Sequence, residues 1–145
     1  MRLLKSRNTA QEEITEVLNE GYSLLSEMGA ERETRKADST WAPAEAKPRH
    51  EEQVNEWGGK VQRVLLGIFP TKREWNYFLN PPHQGLSAIA ADDNDDYEWQ
   101  SLKLRLKDLI NALDTLIEAR LDSYTDVPLQ KRLYIEDIDL SLIHI

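Results

Sequence analysis

Apolar residues recur with a helical period from Asp95 to Tyr124, the longest periodic stretch in the chain. Its apolar stripe consists of Leu102, Leu106, Leu109, Leu113, Leu116 and Leu121, widened by Ile110 and Ile117. A period of 3.6 residues places these side chains on one face and the polar ones opposite. We therefore predict a long helix that buries one face, and at 1.5 Å rise per residue it would measure roughly 45 Å.

Two more helices are predicted before this segment. The first begins near Thr9, which has capping-box spacing to Glu12, and ends at Gly29. The second runs from about Glu51 to Phe69 and ends before Pro70. Their apolar positions are Ile14, Val17, Leu18, Leu25 and Met28 in the first, and Val54, Trp57, Val61, Val64, Leu65 and Ile68 in the second.

A short helix is predicted next. It begins with the capping pair Thr71 and Glu74 and contains Trp75, Phe78 and Leu79.

Glycines interrupt the first two predicted helices. We interpret Gly21 as tolerated, with close approach of another helix as the alternative. Gly58 and Gly59 mark either a kink or a close backbone approach under Trp57.

Residues 30–50 are polar and contain Pro43 and Pro48, with Trp41 as the large apolar side chain. Loops of this length are uncommon in compact domains, and the composition favours disorder. We predict a flexible loop here, so that excision of Glu31 to Lys47 would leave the helices intact. For Trp41 we favour packing against its own domain over anchoring a partner.

The predicted helical domain covers residues 1–125, and residues 126–139 begin a following element. Leu133, Tyr134, Ile135 and Ile138 form a short apolar run there, suited to an edge strand or a final turn. Residues 140–145 match the translation of the end sequence left by transposase-based sequencing libraries. We interpret them as an adapter artefact rather than a genuine apolar tail, and expect the native protein to continue beyond Asp139.

Composition narrows the class of protein. The 145 residues suit one domain, and 26 acidic against 18 basic residues give a formal charge of -8. This charge opposes binding to nucleic acid and to anionic lipid. The chain has no apolar window of about 18 residues and no secretory signal pattern, so we expect a cytoplasmic protein without a membrane partner. The absence of cysteine excludes disulfides and thiolate sites.

Few patterns point to chemistry. His50, His83 and His144 have no partner at metal-ligand spacing, and none has an arginine at the Arg-x4-6-His spacing of helical ribonucleases. The run Gly58-Gly59-Lys60 lacks the upstream glycine and the following Ser or Thr of a phosphate-binding loop. We therefore assign no catalytic, cofactor-binding or metal-binding residue and expect no cofactor.

The acidic run before the long helix partly resembles a calcium-binding loop. Asp92, Asn94 and Asp96 alternate as in an EF-hand, but Tyr97 stands where glycine is needed and Lys103 where a bidentate glutamate is needed. We predict no calcium site; helix capping with the Asp95–Glu98 spacing explains the charges. We interpret the four tryptophans, Trp41, Trp57, Trp75 and Trp99, as core aromatics rather than a base-stacking platform.

One resemblance covers about residues 9–125. It is carried by residues 18–25 (LNEGYSLL), Trp57, residues 65–70 (LLGIFP), Phe78 and the long leucine helix. This succession resembles the N-terminal helical regions that precede effector domains in prokaryotic antiphage-type defence proteins. The resemblance implies an accessory role in oligomerisation or sensing, with the effector chemistry downstream. It carries over no catalytic residue.

Together these patterns predict an all-α fold, a bundle of three to four helices around one long C-terminal helix. We expect a noncatalytic interaction or oligomerisation module of a longer protein, whose partner is a second copy or a downstream effector domain. The alternative is a small helical enzyme or toxin-like nuclease that uses carboxylates.

Overall fold

The computed structural model describes residues 2–80 and 96–126, and in this part of the chain the fold is all-α, which confirms the predicted class. The helices are α1 (Arg7–Ala37), α2 (Pro43–Ile68), α3 (Arg73–Leu79) and α4 (Tyr97–Thr115). A π-helical turn, Leu116–Arg120, and a 3-10 turn, Leu121–Ser123, prolong α4. No helix in these ranges is long and apolar enough to cross a membrane.

Helices α1, α2 and α4 pack against one another, and α3 packs on α2 and α4. The predicted apolar faces are confirmed: every leucine of the α4 stripe is buried, as are Ile14 of α1 and Val61 of α2. The hydrogen-bonding pattern changes at Leu116, so the long helix is α-helical over only its first part. Its predicted start at Asp95 lies outside the described residues.

The predicted flexible loop over residues 30–50 is wrong. α1 begins at Arg7, where the Ser6 hydroxyl accepts from the backbone N–H of Thr9, and it continues through Gly29 to Ala37. An interior glycine costs only about 1 kcal/mol, and the residues after Gly29 are mostly good helix formers. Pro43 starts α2 rather than ending a helix, because the first turn needs no N–H there.

The connection between α1 and α2 is therefore short, residues 38–42. Ser39 has a φ of 62°, and the backbone N–H groups of Thr40 and Trp41 both donate to the carbonyl of Arg35, at 2.8 and 3.1 Å. These bonds give the Arg35 carbonyl, near the C-terminal end of α1, hydrogen-bond partners where the helix no longer provides them. The chain reverses direction at the same point. Pro48 lies inside α2, which tolerates the loss of one N–H.

Gly21 is a point of close helix approach, not a merely tolerated residue. A Cβ built there would lie 2.6 Å from Cζ2 of Trp57 and 3.2 Å from Cγ1 of Ile110. The Trp57 ring is held in place, since its Nε1–H donates to the backbone carbonyl of Val17 at 2.7 Å. Around Gly58 and Gly59, by contrast, a Cβ would meet nothing within 4 Å, so neither glycine admits a neighbouring backbone.

The two ends of the described chain meet. Arg2 and Thr125 form an isolated parallel β-bridge, and the N–H of Leu3 donates to the Thr125 carbonyl at 2.9 Å. Arg7 adds two bonds, from its N–H to the Asp126 carboxylate at 2.8 Å and from Nη2 to the Tyr124 carbonyl at 2.7 Å. The apolar run 133–138 and the suspected adapter residues 140–145 lie outside the described residues.

Candidate functional site

A polar cluster lies where the last turns of α1, the first turns of α2 and the start of α4 meet. Its members are Glu31, Arg32, Trp41, Arg49, His50, Asp96 and Trp99. It brings together the connection between α1 and α2 and the N-terminus of α4, and most of its polar atoms bond to one another.

His50 is the centre of this cluster and is 2% exposed. The indole Nε1–H of Trp99 donates to His50 Nδ1 at 2.8 Å. Because an indole nitrogen only donates, Nδ1 must be unprotonated, and the neutral ring carries its proton on Nε2. That nitrogen lies 3.3 Å from the Glu31 carboxylate. The imidazole thus bonds to α4 on one side and faces α1 on the other.

Arg49 completes this side of the cluster. Its Nη1 and Nη2 donate to the two carboxylate oxygens of Glu31 at 3.0 and 2.6 Å, a bidentate pair. The Arg49 hydrogen bond is the main reason why the pKa of Glu31 is lowered. Burial lowers the pKa of His50, and the Glu31 charge opposes this shift. At neutral pH the pair is therefore an anionic Glu31 beside an uncharged imidazole.

Asp96 forms the second half of the cluster and is 1% exposed. Its carboxylate accepts from Nε of Arg32 at 2.6 Å, from Nε1 of Trp41 at 3.0 Å and from Nε2 of Gln100 at 3.2 Å. The Trp41 and Trp99 rings meet edge to face, 5.1 Å between centroids. Trp41 therefore packs against its own domain, as the favoured interpretation predicted.

Two cations flank the Trp99 ring. The Arg32 guanidinium carbon lies 5.5 Å from its centroid and Nζ of Lys103 lies 5.7 Å from it, both within cation–π range. The pKa of Lys103 is lowered, first by burial and then by the neighbouring charges of Lys107 and Arg32. Arg32 is paired with the buried Asp96 carboxylate at 2.6 Å, so one of the two cations beside the Trp99 ring is balanced by an anion.

An acidic groove runs along the outer surface between α1 and α2. It is lined by Glu16, Glu20, Glu27, Glu56, Lys60, Leu24 and Trp57, among other residues, and encloses about 480 Å³. Four glutamates face one lysine, which lies 3.4 Å from Glu20. Leu24 and Trp57 supply apolar surface to the groove.

A third polar feature is buried near the meeting chain ends. The Tyr124 hydroxyl donates to one carboxylate oxygen of Glu74 at 2.7 Å, while the other oxygen has no hydrogen-bond partner. Burial and the Glu74 contact raise the pKa of Tyr124. The Tyr124 ring packs on Phe69, 5.3 Å between centroids. The hydrogen bond between Tyr124 and Glu74 ties α3 to the segment after α4.

The acidic run and the glycine-lysine run of the sequence do not form binding sites in the described residues. Asp96 caps the start of α4 through its backbone position, with no side-chain capping bond, and its carboxylate serves the polar cluster instead. Gly58, Gly59 and Lys60 lie within α2. Outside the described residues lie Asp92, Asp93, Asn94, Asp95, His83 and His144.

Within residues 2–80 and 96–126, no three His, Cys, Asp or Glu side chains are grouped to hold a metal ion. The interpretation of the tryptophans as core aromatics is confirmed. Trp57 and Trp99 are buried, and Trp41 and Trp75 pack half-buried against the core.

Sequence reasoning missed the polar cluster, although a signal existed. Ala46, His50, Val54, Trp57 and Val61 follow one another at spacings of three and four residues. That spacing extends the apolar face of α2 backward and places His50 on it. Pro43 and Pro48 hide this continuity, because a proline usually marks the boundary of a helix.

The chain matches no protein-family model, no curated protein and no solved structure. The resemblance to helical regions of antiphage-type defence proteins stays a prediction.

Proposed function

We propose that this domain is a noncatalytic interaction module that binds a positively charged segment of a partner protein in the acidic groove. The observation that carries the proposal is the arrangement of four glutamates from two helices around a groove with one lysine. Complementary charge across an interface steers association and selects partners.

Unsatisfied charge in the groove supports this proposal. Glu16, Glu27 and Glu56 are exposed and form no ion pair with a described residue, whereas Glu20 has Lys60 nearby. A basic segment would relieve the repulsion among these carboxylates. Its aliphatic stems would also find apolar surface at the partly exposed Leu24, because Lys and Arg bury their methylene chains while keeping the charge in water.

The same charge pattern argues against self-association through this groove. Two copies placed face to face would oppose glutamates with glutamates, and like charges in an interface are costly. The proposed occupant is therefore a different protein with clustered lysine or arginine, most simply an amphipathic helix laid along the groove.

Fluorescence polarisation with two labelled amphipathic peptides tests the proposal, one built of leucine and lysine and the other of leucine and glutamate. The basic peptide should bind, and binding should weaken as salt rises, since surface charges are screened beyond about 10 Å at 0.1 M. The variant carrying Glu16→Gln, Glu27→Gln and Glu56→Gln should lose most of this binding.

A charge-matched control carries Glu33→Gln, Glu45→Gln and Glu118→Gln, three exposed positions outside the groove lining. It should bind the basic peptide nearly as the unmodified protein does. Equal loss in both triple variants would mean that net charge alone attracts the peptide, and the groove proposal would then be wrong. Equal binding of the acidic peptide would have the same consequence.

A further inference from the structure

His50 joins three helices at one end of the domain. It stands on α2, accepts from Trp99 of α4 at 2.8 Å and faces Glu31 of α1 at 3.3 Å. Each contact uses a different ring nitrogen, so the bonding pattern requires the neutral ring with its proton on Nε2. Only this one form of the imidazole fits its surroundings.

We propose that His50 is a proton-sensitive latch: protonation of Nδ1 removes the acceptor for the Trp99 indole N–H and loosens α4 from α2 at this end of the domain. The proton arrives from solvent and stays on Nδ1, and no other bond is made or broken. Two donors then face each other in a buried site, where an unsatisfied donor is costly. Because the indole cannot accept, rotating the Trp99 ring in place does not repair the contact.

Charges around His50 act in opposite directions. Among the described residues, Glu31 on α1 favours the imidazolium, while Arg49 on α2 itself disfavours it. α4 presents the neutral Trp99, whose ring already lies near Arg32 and Lys103. The Asp96 carboxylate at the start of α4 pairs with Arg32, and an imidazolium would add a positive charge beside a ring that Lys103 already faces. Arg49 also occupies both Glu31 oxygens, which limits what Glu31 can offer a new cation.

The direction of the pH effect follows from the balance of these forces. Burial is the largest influence on His50 and lowers its pKa. The folded state therefore takes up the proton less readily than the unfolded state, and stability falls as the pH drops below about 6.5, the ordinary histidine value. The loss continues until the pH reaches the lowered pKa. One proton changes the folding equilibrium constant by at most about tenfold per pH unit in this window.

The test follows the indole N–H signals of the whole protein by ¹⁵N NMR between pH 7.5 and 5. Trp57 is the internal control, because its Nε1–H donates to the backbone carbonyl of Val17, which does not titrate. We expect the Trp99 signal to shift. Base-catalysed exchange slows as the pH falls, so the two indoles are compared at each pH, and the exchange rate of Trp99 relative to that of Trp57 should rise several-fold. The histidine ring signals, recorded in the same titration, report when His50 takes up its proton.

Matched variants separate a latch from a merely structural contact. His50→Asn keeps an acceptor near the Nδ1 position but cannot titrate, so the Trp99 response and the acid loss of stability should both shrink. A double variant, His83→Asn with His144→Asn, removes the other histidines and should respond like the unmodified protein. The proposal fails if Trp99 and Trp57 respond alike in the unmodified protein, or if His50→Asn keeps the full response. It is independent of the acidic groove, since neither measurement uses a peptide.

Discussion

Gly21 and Gly58 show how one residue type takes opposite roles within one domain. Gly21 lies under the Trp57 ring, where a Cβ would fall 2.6 Å from a ring carbon, whereas nothing lies within 4 Å of the equivalent position at Gly58. The first glycine allows two helices to approach. The second only adds flexibility to α2, since glycine loses more freedom than alanine in a helix.

Alanine substitution should therefore change stability in opposite directions at the two positions. Gly21→Ala overpacks a buried contact, which typically costs about 1–3 kcal/mol and outweighs a helix-propensity gain of about 1 kcal/mol. Gly58→Ala keeps that gain, about 0.5–1 kcal/mol, without a clash. Urea unfolding midpoints measure both. A rise in midpoint for Gly21→Ala would show that the Trp57 ring moves freely.

The helical period of apolar residues predicted the interior of each helix but not where the helices begin and end. The stripes of α2 and α4 were correct because burial of one face sets the 3.6-residue period. Pro43, Pro48 and Gly29 are residues that commonly end helices. Pro43 instead lies in the first turn of α2, where proline is favoured, and Pro48 and Gly29 lie inside α2 and α1.

Helical spacing marks His50 as a buried position of α2, but the partners of His50 in the polar cluster were not predictable from spacing. Its contacts join Glu31, His50 and Asp96, which are distant in sequence and meet only when α1, α2 and α4 pack. The groove is a similar case. Sequence marks its glutamates as exposed, but not which two polar faces form its walls.

Trp41 lies in the short connection between α1 and α2 and is expected to matter for stability, because it packs against the core of its own domain. Trp41→Ala removes the indole bond to the buried Asp96 carboxylate and the contact with Trp99. Buried tryptophan truncations cost about 3–5 kcal/mol, and half-burial reduces the expected loss to roughly 2–3 kcal/mol. Thermal melting with the exposed neighbour Thr40→Ala as control measures it. Equal melting temperatures of the two variants would show that Trp41 contributes no more to stability than an exposed residue.

The two faces of α4 provide another comparison. Leu113 is fully buried and Lys107 is exposed. Leu113→Asp places a charge among apolar side chains and should unfold the domain, while Lys107→Ala should change stability by less than about 0.5 kcal/mol. Circular dichroism and urea titration distinguish the outcomes. Similar midpoints for both variants would contradict the face assignment.

Contacts join the first residues that the structure describes to the last ones, residues 124–126. Leu3 is buried in the core, whereas the adjacent Leu4 is 53% exposed and contributes a backbone bond to Ile68. The helical pattern gave no indication of this closure, because a single β-bridge leaves no periodic signature.

We predict that Leu3→Ala destabilises the domain by about 2–4 kcal/mol, in the range of large-to-small core substitutions. Leu4→Ala should be nearly neutral, since its backbone bond survives and its side chain is largely in water. Chemical denaturation of the pair measures the contribution of the closure. An equal, small loss in both would mean that the first residues fray without affecting the core.

The bridge between Arg2 and Thr125 also has a topological consequence. Paired strands lie about 4.8 Å apart. If this domain were inserted into a host protein, the host chain would enter at residue 2 and leave after residue 126, and these two points are about as far apart as the two ends of a tight turn. Closely spaced ends are the geometry that tolerates insertion of one domain into a surface loop of another. Residues 2–126 are therefore suited to insertion into a surface loop of a host protein, whose own fold would change little.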